Sequence, residues 1–127
     1  MEMKKVYVVD DDESVCRALK ILLGTFDFQV ETFNSSRNFF DTVSADTPGC
    51  LLLDVNMPGL DGWATQKIIL ASGSGRPVIF ISAVRQADGV ARALEVGAVG
   101  FLQKPVDGQT LVDLIDGLPG ISQAVLE

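Results

Sequence analysis

The chain has 127 residues, 47% of them hydrophobic, and a formal net charge of −7 at pH 7. This length fits one domain with a single core, and the negative charge argues against direct binding to nucleic acid, whose phosphates select basic surfaces. With no histidine, and with Cys16 and Cys50 far apart and outside any CxxC cluster, zinc, haem and histidine-based chemistry are poorly supported and both thiols are expected to be buried.

Strand and helix patterns alternate along the chain, beginning with the β-branched run KVYVV at 5–9. Apolar residues at helical spacing follow at 13–23, and FQVETF at 28–33 then alternates with the period of a strand. A short helix comes next, for which either Ser35 or Ser36 can serve as the cap. The first third of the chain therefore predicts two strands and two helices.

The rest of the chain continues the same alternation. Its predicted elements are a strand at 50–55 (CLLLDV), a helix at 62–71, a strand at 78–82 (VIFIS), a helix at 87–96, a strand at 100–103 (GFLQ) and a helix that begins near Asp107. The run at 50–55 is apolar on both sides, which is typical of a central parallel strand covered by helices. Such βα units predict a five-stranded parallel sheet with helices on both faces, an open, doubly wound α/β fold.

Glycine and proline interrupt the last helix, since the sequence at 117–120 reads GLPG. A Gly-x-Pro-Gly segment stops a helix within a few residues, so we expect the fifth helix to end near Asp116. Residues 1–116 are then expected to form the domain, and residues 117–127 a C-terminal tail or the start of a linker.

Polar side chains follow four of the predicted strands, at the edge where doubly wound sheets bind ligands. In chain order they are Asp10, Asp11 and Asp12, then Asp54, then Ser82, then Lys104. If the strand order is the flavodoxin-like 2-1-3-4-5, the first and third strands are neighbours and Asp10, Asp11 and Asp54 converge. Two like charges about 4 Å apart repel by on the order of 4 kcal/mol near a protein surface, so this cluster predicts a bound cation.

The motifs VVDDD, LLLDVNMPGLDG, ISA and LQKP, in this order at strand ends, resemble the receiver domain of two-component response regulators, the CheY-like proteins. The resemblance extends from Lys5 to about Asp116. It implies a signalling switch that accepts a phosphoryl group on Asp54 from a histidine kinase or a phosphotransfer protein. Such a protein catalyses its own phosphorylation and dephosphorylation and has no turnover substrate.

The resemblance also implies a role for each residue of the acidic cluster. Asp11 would bind Mg²⁺ directly and Asp10 through water, with Asp54 and the backbone carbonyl of Asn56 as the other protein ligands. Magnesium suits such a site because it takes hard oxygen ligands and keeps several waters. The ammonium of Lys104 would neutralise charge on the phosphoryl oxygens.

Three further residues gain roles from the resemblance. Ser82 would donate a hydrogen bond to a phosphoryl oxygen, and the switch aromatic Phe101 would turn inward as Ser82 moves. This change would alter the surface of the fourth helix, fifth strand and fifth helix, through which a homodimer could form. Family members carry a cis bond before the corresponding proline, so the bond between Lys104 and Pro105 is expected to be cis.

Simpler interpretations of several residues stay open. Asp12 fits a first-turn acid that complements the helix dipole, and Asp61 fits a helix cap. Trp63 fits a packed side chain, and Phe101 fits core packing as well as a switch role. Lys104, taken alone, fits a solvated surface lysine.

Other functions were weighed against a phosphorylation switch. A phosphohydrolase of the haloacid dehalogenase type needs a second aspartate two residues after its nucleophile, where this chain has Asn56, and a flavodoxin-like cofactor binder needs a phosphate loop where DDDES stands. A degenerate receiver acting as a protein-interaction module and a single-domain regulator remain alternatives to the receiver part of a transcriptional regulator, which the stretches VYVVDDDESVCRALKILL and VETFNSS favour by resemblance. No signal-type segment and no apolar run near about 18 residues occur, so we expect a cytoplasmic protein without a membrane contact.

The resemblance also implies that the residues two positions beyond Asp54 and Ser82, here Asn56 and Val84, tune how readily water reaches the phosphoaspartate. Val84 carries no group that could orient a water molecule for attack on a phosphoaspartate. We therefore expect slow spontaneous loss of phosphate, measured as decay of the phosphorylated species by mass spectrometry after removal of the donor. Complete loss within seconds would contradict this prediction.

Overall fold

The structure, a computed structural model, describes residues 2–118 and 122–124. Strands and helices alternate through the described chain. They are β1 (Glu2–Val9), α1 (Glu13–Gly24), β2 (Gln29–Phe33), α2 (Ser36–Thr42), β3 (Cys50–Asp54), α3 (Gly62–Ala71), β4 (Val78–Ser82), α4 (Gly89–Glu95), β5 (Gly100–Gln103), α5 (Gly108–Asp116) and β6 (Ser122–Ala124). No helix in this part of the chain has the length and apolar character needed to cross a membrane.

Five of the strands form a parallel sheet in the order β2-β1-β3-β4-β5. The predicted doubly wound α/β fold and its strand order are therefore confirmed. β1 and β3 are direct neighbours, and Val9 pairs with Leu53 at their carboxyl ends. This register brings the residues that follow β1 beside the last residue of β3.

The sheet separates two hydrophobic cores, as its buried central strands require. All five residues of β3 and of β4 are buried. One core joins the sheet to α1 and α5 and is mainly aliphatic; the other joins it to α2, α3 and α4 and contains Tyr7, Phe33, Phe39, Trp63 and Phe80.

Both cysteines are free and buried, and burial raises the pKa of the Cys16 thiol to about 11 and that of the Cys50 thiol to about 12.

Polar side chains fix the starts of four helices close to the strand ends. In α1, α2, α3 and α5 the residue before the helix accepts a hydrogen bond from a backbone N–H of the first turn; these residues are Asp12, Ser35, Asp61 and Asp107. Such caps satisfy backbone donors that have no partner inside the helix. The hydrogen bonds from Ser14 to Asp12 also hold the pKa of that exposed carboxyl below its ordinary value. Asp12 and Asp61 thus act as helix caps, and Ser35 rather than Ser36 caps α2.

The structure departs from the sequence prediction at the start of β1 and at both ends of α4. β1 begins at Glu2 rather than near residue 5, because residues 2–4 pair antiparallel with β6, in a segment that the sequence assigns to a tail or linker. Residues 119–121 and 125–127 of that segment lie outside the described residues. α4 covers Gly89–Glu95 rather than 87–96, and its cap residue Asp88 makes no side-chain hydrogen bond to the first turn. α5 ends at Asp116, as predicted.

Gly62, the first residue of α3, generates a prediction about stability. A Cβ at this position would lie 2.5 Å from the carbonyl oxygen of Asp54 and 2.9 Å from the Cα of Val55. Because both neighbours are backbone atoms, Gly62→Ala must displace α3 or the end of β3. We expect a loss of about 1–3 kcal/mol in the free energy of unfolding, measured by urea denaturation.

Gly24→Ala is the matched control, since a Cβ there meets no heavy atom within 4 Å. At the last residue of α1, alanine should leave stability unchanged or raise it by up to about 1 kcal/mol. Equal stability of the Gly62→Ala variant and the unsubstituted protein would contradict the close approach of α3 to the end of β3.

Candidate functional site

The structure brings together three of the carboxylates that the sequence assigns to one cluster. Asp10 follows β1, Asp11 follows Asp10, and Asp54 ends β3; one carboxylate oxygen from each lies within 4.8 Å of the others. Asp10 is fully buried and Asp54 is 3% exposed, whereas Asp11 is exposed. The cluster is therefore buried on the side of the sheet and open to solvent through Asp11.

The two oxygens of Asp10 differ in their surroundings. Oδ1 accepts a hydrogen bond from the backbone N–H of Asp12 at 2.9 Å. Oδ2 lies 2.6 Å from Nζ of Lys104, but it is buried and accepts no hydrogen bond of standard geometry from the described residues. A buried carboxylate oxygen with this deficit is suited to a further cation or to a water that such a cation holds.

Lys104 is the cation that faces this cluster. Its Nζ lies 2.6 Å from Asp10 Oδ2 and donates a hydrogen bond to Asp54 Oδ1 at 3.3 Å. Burial alone would lower the pKa of Lys104, but the close contact and charge of Asp10, together with the charge and hydrogen bond of Asp54, outweigh burial and hold this pKa above its ordinary value. The ammonium is therefore charged at neutral pH. The Lys104–Pro105 bond is cis, the form expected from the sequence.

The surroundings of Asp54 raise the pKa of its carboxyl group. Burial, and then the negative charge of Asp10, raise its pKa to about 6 from an ordinary value of 3.8, against the opposing effect of Lys104. Asp54 has two neighbouring carboxylates, Asp10 and Asp11, but only one neighbouring ammonium, Lys104, so the negative charge of this partly desolvated site is not balanced. The donor set, carboxylate oxygens only, fits a hard divalent cation such as Mg²⁺.

Ser82 lies at the carboxyl end of β4, beside the cluster, but its hydroxyl is turned to the following loop. Ser82 Oγ donates a hydrogen bond to the carbonyl of Val84 at 2.9 Å and accepts one from the Val84 N–H at 3.1 Å. The Ser82 carbonyl in turn accepts a hydrogen bond from the Lys104 N–H at 2.8 Å. The strand ends are thus joined by the backbone, while the Ser82 hydroxyl forms no hydrogen bond to Asp54. Asn56 is exposed on the loop after β3.

Phe101 is half-buried on β5 and packs against Trp63. The two rings are nearly parallel, with an interplanar angle of 11° and centroids 6.3 Å apart. Trp63 is buried, with the Phe80 ring centroid at 4.4 Å and Cζ of Arg92 at 4.1 Å over its ring. Trp63 is therefore a packed side chain. Sequence reasoning missed its partner Arg92, because nothing local marks a charged helix residue as the neighbour of a distant ring.

The raised pKa of Asp54 predicts how stability depends on pH. The pKa of the Asp54 carboxyl group is about 6 in the folded protein and is taken as the ordinary 3.8 in the unfolded chain. The protonated form of the group therefore favours folding. Its stabilising effect is present below about pH 4 and is lost as the pH rises to about 6. Asp54→Asn should therefore raise the free energy of unfolding by about 1–3 kcal/mol at pH 7.5 in metal-free buffer, with little effect at pH 4.

Asp41→Asn, which removes an exposed carboxyl group from α2, is the control for the change in net charge. Urea denaturation at several pH values measures both variants. A destabilised Asp54→Asn protein at pH 7.5, or a gain in stability that is the same at pH 4 and pH 7.5, would contradict the assigned direction of the shift.

Comparison with known proteins agrees with this geometry. A model of the response regulator receiver domain family matches residues 6–116. The chain is 36% identical over 122 residues to the transcriptional regulatory protein TdiR of Thauera aromatica, an alignment that covers 96% of this chain and 54% of TdiR. The chain spans about half the length of the curated relatives it matches.

Solved structures extend the comparison to the fold. The response regulator StyR superimposes with a TM-score of 0.82 at 39% identity, covering 92% of this chain and 58% of StyR. The crystal structure of FixJ-N gives a TM-score of 0.82 at 26% identity, covering 91% of this chain and 93% of FixJ-N. The match of the family model over most of the chain and the acidic cluster at the strand ends agree, and the chain belongs to the response regulator receiver domain family.

Proposed function

We propose that this domain is a phosphorylation switch in which Asp54 accepts a phosphoryl group from a histidine kinase or a phosphotransfer protein. One observation carries the proposal: the carboxylates of Asp10, Asp11 and Asp54 converge within 4.8 Å, and the Lys104 ammonium contacts two of them. The three acids and the lysine belong to three different strand ends, so this meeting is a property of the fold and not of one local motif.

The proposed reaction is an in-line transfer to Asp54. A carboxylate oxygen of Asp54 forms a bond to phosphorus, while the phosphorus–nitrogen bond of the donor phosphoimidazole breaks and its electron pair returns to the imidazole, which takes up a proton from solvent. The product is an acyl phosphate. Asp54 must be ionised to attack, and a pKa of about 6 leaves most molecules in that form at pH 7.5.

Asp10, Asp11 and Asp54, with the backbone carbonyl of Asn56, would hold Mg²⁺, Asp10 mainly through water. When bound, the ion supplies positive charge against the phosphoryl oxygens. Lys104 supplies the remaining positive charge from the protein, since its ammonium already reaches Asp54 Oδ1 at 3.3 Å. After transfer, the same ammonium is placed to pair with a phosphoryl oxygen, towards which the hydroxyl of Ser82 would turn from Val84.

The wider role we propose is the receiver part of a transcriptional regulator. Support comes from the names of relatives, among them the transcriptional regulatory proteins TdiR and FixJ, each about twice as long as the aligned segment. We assign residues 1–116 to the receiver and residues 117–127 to the connection or tail. Val90 and Leu94 on α4 and Val99 before β5 are exposed and apolar, which suits a homodimer through α4, β5 and α5.

The proposal is tested by incubating the whole chain with Mg²⁺ and acetyl phosphate. Intact-mass analysis should show one added phosphoryl group, and peptide mapping after reductive trapping should place it on Asp54. Asp54→Asn should abolish uptake, because the amide is not a nucleophile for this reaction, and chelation of Mg²⁺ should abolish it in the unsubstituted chain. The control Asp41→Asn should take up phosphate as the unsubstituted chain does.

Each failure of this experiment has a distinct meaning. A folded protein that takes up no phosphate with Mg²⁺ present would favour a degenerate receiver that acts only as an interaction module. Phosphate uptake that survives Asp54→Asn would contradict the assigned phosphoacceptor. Continuous release of phosphate from an ester substrate would instead favour a phosphohydrolase.

A further inference from the structure

Side chains from β4, β5 and α4 meet at the ring of Trp63, with Phe80 as the contribution of β4. Trp63 lies in the first turn of α3, Phe101 stacks on it from β5, and the guanidinium of Arg92 lies over it from α4. Arg92 is an exposed residue, and its Cζ lies 4.1 Å from the centroid of the buried Trp63 ring. The contact between Arg92 and Trp63 has the geometry of a cation–π interaction, whose strength falls steeply once the cation leaves the ring.

The start of α4 is fitted to the Phe101 ring. Gly89 is the first residue of this helix, and a Cβ placed on it would lie 2.7 Å from Cε1 and 2.8 Å from Cζ of Phe101. Phe101 therefore occupies the space that any other side chain at position 89 would fill. The position of α4 and the position of the Phe101 ring are consequently linked on two sides, through Gly89 and through Arg92 with Trp63.

This group is connected to the acidic cluster through short stretches of chain. Ser82 Oγ is hydrogen-bonded to Val84, in the loop that leads from β4 to Gly89. Phe101 pairs with Phe80 across β4 and β5, three residues before Lys104. A turn of the Ser82 hydroxyl towards Asp54 would break its hydrogen bond to the Val84 carbonyl and so remove one of the contacts that hold this loop.

We infer that Trp63 and Arg92 are positioning residues that hold Phe101 and α4 in the arrangement of the unmodified site, so that they oppose occupation of Asp54 by a phosphoryl group. The inference rests on the proposed function, since it concerns the change that follows occupation of Asp54. The contacts between Arg92, Trp63 and Phe101 are present in the conformation in which the Ser82 hydroxyl is hydrogen-bonded to Val84. They are weakened when that hydroxyl leaves Val84 and turns towards Asp54. Contacts made in only one of two conformations bias the equilibrium towards it.

The test measures binding of beryllofluoride with Mg²⁺, a phosphoryl mimic that needs no chemical step, by calorimetry. Arg92→Ala should bind it about 2- to 5-fold more tightly than the unsubstituted chain, the factor to which an exposed cation–π contact corresponds. Arg92→Lys, which keeps a cation near the ring, should fall between the two. Arg37→Ala removes an equal charge from an exposed site on α2 and should leave the affinity unchanged.

A second readout follows the stack directly. Trp63 is the only tryptophan of the chain, so its emission reports this site alone. Beryllofluoride should change the emission of the unsubstituted chain, and the change should be smaller in Arg92→Ala because the guanidinium is already absent. Gly89→Ala, which pushes the Phe101 ring aside, should also tighten beryllofluoride binding at least about 2-fold.

The outcomes separate the inference from the proposed function. Equal or weaker binding by Arg92→Ala, with normal binding by the unsubstituted chain, would overturn the inference and leave the proposed function intact. Emission of Trp63 that does not respond to bound beryllofluoride would also overturn the inference, because the stack would then be mere packing. Failure of the unsubstituted chain to bind beryllofluoride would overturn both.

Discussion

The structure of this domain depends on an imbalance of charge at the carboxyl ends of β1 and β3. Three carboxylates and one ammonium meet there, which leaves a formal charge of −3 + 1 = −2 when every group is ionised. Burial raises the free energy of the ionised carboxylates, and the pKa of Asp54 is raised as a result. A site that carries unbalanced negative charge in the free protein is one in which a divalent cation gains much from binding.

The fold supplies this arrangement with little local sequence. The strand order makes β1 and β3 neighbours, and their register places Asp10 and Asp54 side by side although they lie 44 positions apart in the chain. Lys104 reaches the same point from β5 because its own N–H is anchored on the Ser82 carbonyl at the end of β4. The helices that follow β1, β3 and β5 are held at their starts by the capping carboxylates of Asp12, Asp61 and Asp107.

Sequence alone predicted the elements of this sheet and the residues that meet at its edge, because both follow from local patterns. Buried runs such as CLLLDV carry their own signal, and the rule that ligands bind at the carboxyl ends of strands then converts strand assignments into a site. The short strand β6 was missed, since a segment flanked by glycine and proline has no strand pattern and gains its conformation only from its partner β1. The direction of the Ser82 hydroxyl and the partners of Trp63 could not be predicted from the sequence either. Rotamers and contacts between distant elements are set by packing and not by residue spacing.

The pairing of β6 with the first residues of β1 places the C-terminal strand far from the acidic cluster. β1 spans seven residue steps from Glu2 to Val9, about 23 Å at the usual rise of a strand, and the acidic cluster lies beyond its far end. Ala124 pairs with Glu2, at the end of β1 that lies opposite the cluster. At this distance β6 does not touch Asp54, so a modification there acts on β6 only through the strands and helices between them.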